Sequence, residues 1–324
     1  MSIEISPGRL RDDATIREPM SGDGASGATL ERLTFEDGSR LVLKSFAPGR
    51  DWMMRATHDT GRAAELWTSG AADRLPLTID PAIVRIEHEG DEWRLYLKDV
   101  SALFLRRGTV VDAAELRRFL DAAAAMHRAY WLDSPTGLAT LEELILLASP
   151  ETIAREDTAD SPFLTIVDEG WRRFDELAPR DVGAAVRLIL DDPRPLAAAL
   201  RANGTTLVHA DLHYGNVAPA EDRFVVIDWG LATAAPPAVD FAWYLDQGRG
   251  ILGPSREEAI AAFVAAEGDL HDPATLDLAL LAELVLAGWQ YGDATVGPDD
   301  VRARRRADLA WWVGRARIGL DRLG

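Results

Sequence analysis

Within residues 209–228, four side chains have the types and spacing for one kind of chemistry. His209, Asp211, Asn216 and Asp228 lie in the stretch TLVHADLHYGNVAPAEDRFVVIDWG, an H-x-D-x-x-x-x-N pattern followed by an apolar run ending in Asp. Phosphoryl transfer asks for this set. One carboxylate must sit beside an acceptor hydroxyl, to orient it and take its proton. An amide oxygen and a second carboxylate must hold magnesium against phosphates. Magnesium takes oxygen ligands and usually only one or two protein carboxylates. A strand at 224–227 would deliver Asp228 next to the loop carrying Asn216. His209, Asp211 and His213 also spell H-x-D-x-H, which alone would suit a metal hydrolase with imidazole ligands. No second cluster of histidine and carboxylate accompanies the other histidines, so that reading ranks lower. His209 is better suited to pack beneath the loop and hold its backbone.

Such a loop needs a scaffold. Residues 29–35 and 40–46 are extended runs joined by Glu36-Asp37-Gly38-Ser39, and Asp-Gly between such runs signals a hairpin. Residues 82–88 and 92–100 form a second pair around Glu89-Gly90-Asp91. Between the pairs, 58–70 reads as a helix with Ala63, Ala64 and Leu66 inside. An earlier strand is indicated near 14–19. Beyond Asp99 the period becomes helical: Leu116, Phe119, Leu120, Ala123 and Met126 recur within 115–131. Helices are also expected at 139–149, 161–177, 182–202, 256–267, 273–290 and 299–320. The interlude at 205–227 is β-like. The expected fold is α+β with two lobes, a small β-rich lobe over 1–98 and a large, mainly helical lobe over 99–324.

The motif segment resembles the catalytic and metal-binding segment of the protein-kinase-like superfamily, and most of all its aminoglycoside phosphotransferase and choline kinase branch. That branch typically shows H-G-D-x-H-x-x-N followed by I-D-W or I-D-F. Here the strings are His209-Ala210-Asp211-Leu212-His213-Tyr214-Gly215-Asn216 and Ile227-Asp228-Trp229. The resemblance implies that Asp211 is the catalytic base, that Asn216 and Asp228 are Mg²⁺ ligands, and that the donor is ATP or GTP. Pro236-Pro237-Ala238-Val239-Asp240 resembles the branch's P-x-x-D stretch, which gives Asp240 a role in supporting the catalytic loop. Where protein kinases usually carry arginine after the motif histidine, this chain has Ala210. Only eleven residues separate Asp228 from Asp240, too few for a long regulated loop. Both departures favour a small acceptor over a protein substrate.

The same resemblance calls for a strand lysine on the phosphates and a helix glutamate to orient it. Lys44 shares a strand face with Val42 and Phe46, and Glu65 follows on the next expected helix. Residues 21–27 read S-G-D-G-A-S-G, a G-x-G-x-x-G. A strand follows it instead of a helix, so a dinucleotide-binding context fails. A strand–loop–strand context suits a loop covering phosphates, with Gly24 and Gly27 against the nucleotide. The connection after Asp99, including Val100, would lie beside the adenine.

Composition bounds what remains. The chain has 324 residues, with 53 acidic against 35 basic ones and a formal net charge of −18. That balance disfavours nucleic acid and anionic membrane surfaces as partners. It allows a cationic acceptor, because negative potential attracts cations. There are no cysteines, which excludes disulfides and thiol catalysis. Only Lys44 and Lys98 are lysines; the other basic residues are arginines. Lys98 has no evident need to be lysine and reads as a surface residue. The N-terminal stretch lacks the order of a signal peptide, and a cytoplasmic monomer or homodimer is expected. The reading is a small-molecule kinase acting on a hydroxylated acceptor such as an aminoglycoside or amino sugar. Choline-, sugar- or homoserine-type metabolite kinases stay open as alternatives. So does a non-catalytic nucleotide-binding pseudokinase.

Overall fold

A computed structural model describes residues 10–20, 26–105, 108–156 and 161–324. The N-terminal half begins with β1 (Ile16–Met20), β2 (Thr29–Thr34) and β3 (Arg40–Phe46). Two helices follow, α1 (Trp52–Ala56) and α2 (Arg62–Thr68), and then β4 (Ile79–Asp80), β5 (Ile83–Glu89) and β6 (Glu92–Lys98). Five strands form one antiparallel sheet in the order β1-β2-β3-β6-β5. Alternation along β3 explains how the sheet is covered on both faces. Val42 and Phe46 enter the main core, whereas Leu43 packs on the other face with Leu33 and Tyr96. Lys44 lies between Leu30 of β2 and Leu95 of β6 in the register.

The larger part carries α3 (Ala113–Ala129), α4 (Leu141–Leu146), α5 (Pro150–Arg155), α6 (Pro162–Leu177), α7 (Arg180–Asp191) and α8 (Arg194–Arg201). Short strands β7 (Thr206–Val208), β8 (Val217–Pro219), β9 (Phe224–Val226) and β10 (Thr233–Ala235) follow. The chain then runs through α9 (Pro237–Gln247), α10 (Arg256–Glu267), α11 (Pro273–Ala287) and α12 (Asp299–Leu323). From Leu278 to Ala287 every residue of α11 is buried, as expected of a helix apolar on all sides.

Three differences from the sequence expectations have local causes. The helix expected at 58–70 begins only at Arg62, after Gly61 at φ +143°, and a separate α1 precedes it with Asp51 as its cap. The helix expected at 182–202 is two helices, because Pro193 lacks the N–H that would continue α7. Strand β4, only two residues long, leaves the N-terminal sheet and pairs in parallel with β9. The resulting order β4-β9-β8 ties the first part of the chain to the strands around Asn216 and Asp228.

Candidate active site

The loop after β7 is held from below. The N–H groups of His209 and Ala210 donate to the two carboxylate oxygens of Asp240 at 2.9 and 2.6 Å. Asp240 lies in the first turn of α9 and is 1% exposed. Anchoring both amides at once holds Ala210 at φ +63°, a left-handed conformation that costs a non-glycine residue about 1–2 kcal/mol. The buried His209 ring spans the loop: its Nε2 contacts the Ile227 carbonyl at 2.9 Å, and its Nδ1 accepts the N–H of Asp211 at 3.2 Å. Burial pushes the His209 pKa down, so the ring is neutral with its proton on Nε2.

Asp211 projects beyond that anchor. Asn216 Nδ2 donates to its Oδ2 at 2.8 Å and to its backbone carbonyl at 3.1 Å. This commits the amide nitrogen of Asn216 inward and turns the amide oxygen the other way. Burial, and then the charge of Asp228, push the Asp211 carboxyl well above the ordinary range. His213 lies 3.6 Å from Asp211, and its ring folds back so that Nδ1 accepts the N–H of Gly215 at 3.0 Å. A Cβ on Gly215 would sit 2.6 Å from that ring, which is why glycine stands there. Burial lowers the His213 pKa to about 4, so it is a neutral hydrogen-bond acceptor.

Asp228 arrives from the end of β9 with φ +67° and ψ 62°. Lys44 Nζ donates to its Oδ1 at 2.6 Å. Enclosure opposes ionisation of Asp228, but Lys44 outweighs it and holds the carboxyl below its ordinary value. Its side chain is 41% exposed, so it faces the cleft and not the core. Two protein oxygens, from Asn216 and Asp228, suit Mg²⁺, which accepts few protein ligands when phosphates and waters complete its shell. Among the described residues no group of three or more His, Asp or Glu could hold a metal unaided. The imidazole-ligated alternative therefore has no support.

Behind the end of β9 lies a small apolar cluster. Ala82, Ala218 and Val225 are buried together, and Val100, Phe104 and Ile227 pack around them. Val100 belongs to the turn joining the lobes, where its carbonyl accepts the N–H of Leu103 at 2.9 Å.

The structure does not bring Glu65 to Lys44. Glu65 is exposed on α2, with its carboxylate toward Gly137, and the buried face of the helix carries Ala64 and Trp67 instead. Gly24 lies outside the described residues. Gly27, at φ +106°, packs on backbone: a Cβ there would stand 2.2 Å from the Arg50 carbonyl oxygen. Lys98 is not a free surface residue, since its ammonium pairs with Asp80 of β4 at 2.8 Å.

Sequence reasoning missed the segment between β3 and α2. Asp51 is buried, accepts the N–H of Met54 at 3.2 Å and feels the charges of Lys44 and Asp228. Arg62 is buried and donates to the Gly230 carbonyl at 2.9 Å. An Asp before a short apolar run was a readable capping signal; nothing local marked Arg62.

The chain belongs to the phosphotransferase enzyme family, whose model matches residues 22–284. It has the two-lobed kinase-like fold of that family. An aminoglycoside phosphotransferase from Alicyclobacillus acidocaldarius is 17% identical, covering 96% of this chain and 92% of that one, with a TM-score of 0.52. A spectinomycin phosphotransferase in complex with ADP and spectinomycin is 14% identical, covering 96% and 94%, with a TM-score of 0.53. A choline kinase from Streptococcus pneumoniae is 12% identical, covering 93% and 94%, with a TM-score of 0.52. At these identities the likeness establishes the fold. No curated protein matches the chain in sequence. Among the described residues no helix is long and apolar enough to cross a membrane.

Proposed function

We propose that this chain transfers the γ-phosphoryl group of ATP or GTP to a hydroxyl of a small acceptor, of the aminoglycoside or amino-sugar kind. The observation that carries this reading is the meeting of two pairs in one cleft, Asn216 with Asp211 at 2.8 Å and Lys44 with Asp228 at 2.6 Å. Asp211 orients the acceptor hydroxyl and takes its proton as the new O–P bond forms and the bond to the β-phosphate oxygen breaks. Lys44 holds the donor's phosphates from the sheet side. By the family resemblance, the purine lies beside Val100 at the connection between the lobes. Asn216 and Asp228 would hold Mg²⁺, which neutralises phosphate charge when bound. The protein's share is alignment and a fixed field, and alignment alone reaches about 7–11 kcal/mol in favourable systems. The excess of carboxylates favours a cationic acceptor.

The test is Mg²⁺-dependent turnover of ATP and GTP with a panel of aminoglycosides, amino sugars, neutral sugars and choline. Asp211→Ala is expected to abolish transfer while nucleotide affinity changes less than about threefold. Full activity in that variant would remove the mechanism. Nucleotide binding without turnover on any acceptor would favour the pseudokinase reading.

A further inference from the structure

Asp228 carries an unresolved demand. It holds φ +67° and ψ 62°, a left-handed conformation uncommon for a side chain with a Cβ, though aspartate tolerates it better than most. Its two following residues are each held by the surrounding structure. The Trp229 ring lies between Trp67 of α2, edge-on at 5.3 Å, and His209 at 4.6 Å, and its indole donates to the Val226 carbonyl at 2.9 Å. Gly230 is gripped by Arg62.

From this we infer that Arg62 is a positioning residue for the metal-ligand loop, an inference that rests on the phosphotransfer reading above. Its guanidinium bridges two backbone carbonyls that are far apart in the chain. Nη1 donates to Gly230 O at 2.9 Å and to the Thr57 hydroxyl at 3.3 Å, while Nη2 donates to Thr57 O at 3.0 Å. The arginine is itself fixed. Asp59 Oδ1 accepts the N–H groups of Gly61 and Arg62 at 2.7 and 2.5 Å, and Asp59 Oδ2 lies 3.7 Å from Nη1. Arg62, Asp59 and Thr57 are all buried. A planar fork suits this bridging, and a point charge such as lysine does not span both carbonyls. Gly230 lies against Asp228: a Cβ on it would be 3.8 Å from Asp228 Oδ1. Helix α2, expected to serve Lys44 through Glu65, thus serves Asp228 through Arg62.

Manganese binding in the presence of a non-hydrolysable ATP analogue, read by electron paramagnetic resonance, measures the loop's hold on metal without turnover. Arg62→Gln is expected to melt earlier than wild type, because it leaves the buried Asp59 carboxylate without its cation, yet to stay folded at the assay temperature. Its affinity for the analogue in EDTA should stay within about threefold of wild type, while its Kd for Mn²⁺ rises at least about tenfold. A merely structural arginine would shift the melt in the same way and leave the metal affinity of the folded fraction unchanged. If Arg62→Gln does not fold, Arg62→Lys decides: it keeps a charge opposite Asp59, and its Mn²⁺ affinity is expected to fall at least about threefold. Wild-type Mn²⁺ affinity in the folded variant overturns the inference and leaves the functional reading standing. Absence of analogue-dependent Mn²⁺ binding in the wild type overturns both.

Discussion

Lys44 and Asp228 neutralise each other across the cleft, and in the proposed function each has a second task once nucleotide enters. Replacing Lys44 removes a charge-assisted contact worth about 1.5–3 kcal/mol. Lys44→Ala should therefore raise the KM for nucleotide by about ten- to a hundredfold, and Lys44→Arg should restore little of it, because a guanidinium fork does not replace a compact ammonium. Steady-state kinetics with varied nucleotide checks both. Beneath the loop, His127 is buried between Glu267 at 2.7 Å and Asp240 at 3.3 Å. Burial alone would lower its pKa, but the two carboxylates overcome that and raise it to about 9. A histidine whose folded pKa exceeds its ordinary value of about 6.5 gives its stabilisation in full below that value and loses it as pH rises through the folded pKa. The wild type should thus lose on the order of 1–3 kcal/mol relative to His127→Gln between about pH 6.5 and 9.5, read from paired urea melts. A constant difference between the two proteins across that range would remove the imidazolium from the account.

At the scale of elements, the segment from Asp51 to Arg62 does more than connect β3 to α2. The N–H of Trp52 donates to Ser26 at the edge of the glycine loop at 2.9 Å, and its ring stacks on Phe163 of α6. Arg55 pairs with Glu156, and His58 with Glu143 of α4 at 2.9 Å. Asp51 caps this segment. Asparagine caps as well as aspartate, whereas alanine forfeits about 1 kcal/mol. Asp51→Asn should therefore melt in urea within about 0.5 kcal/mol of wild type, and Asp51→Ala should lose about 1 kcal/mol or more; an equal loss in both would mean that the charge matters, not the cap. These elements divide by how far they could be read in advance. The loop of His209, Asp211 and Asn216 and the strand end at Asp228 were legible because their spacing is local. So were β2, β3 and β6, extended runs set off by the turns at Asp37-Gly38 and Glu89-Gly90-Asp91. Glu65 was misplaced because Ala63, Ala64, Leu66 and Trp67 around it take the buried face of α2, and nothing local says which face of the helix meets Lys44. The pairing of β4 with β9 and the reach of Arg62 to Gly230 join residues more than a hundred positions apart. No periodicity encodes such contacts.

For the whole molecule, the net charge of −18 would set opposite demands on the two proposed substrates. Many arginines are spent on local pairs, such as Arg201 with Glu142 and Arg317 with Asp181, so the excess carboxylates set the long-range field. An anionic nucleotide approaches against that field and meets the positive charge of Lys44 in the cleft. A cationic acceptor approaches along it. Steering of this kind changes association rates by about ten- to a thousandfold and fades once the Debye length shrinks from about 30 Å at 0.01 M salt to about 10 Å at 0.1 M. Raising ionic strength across that range should lower kcat/KM for a polycationic aminoglycoside by about three- to tenfold. The kcat/KM for nucleotide should hold or rise, and a neutral sugar acceptor should be indifferent to salt. The decisive comparison is the salt slope of kcat/KM for a charged and an uncharged acceptor at the same saturating nucleotide. Equal slopes would mean that the acidic surface serves solubility alone and plays no part in selecting the acceptor.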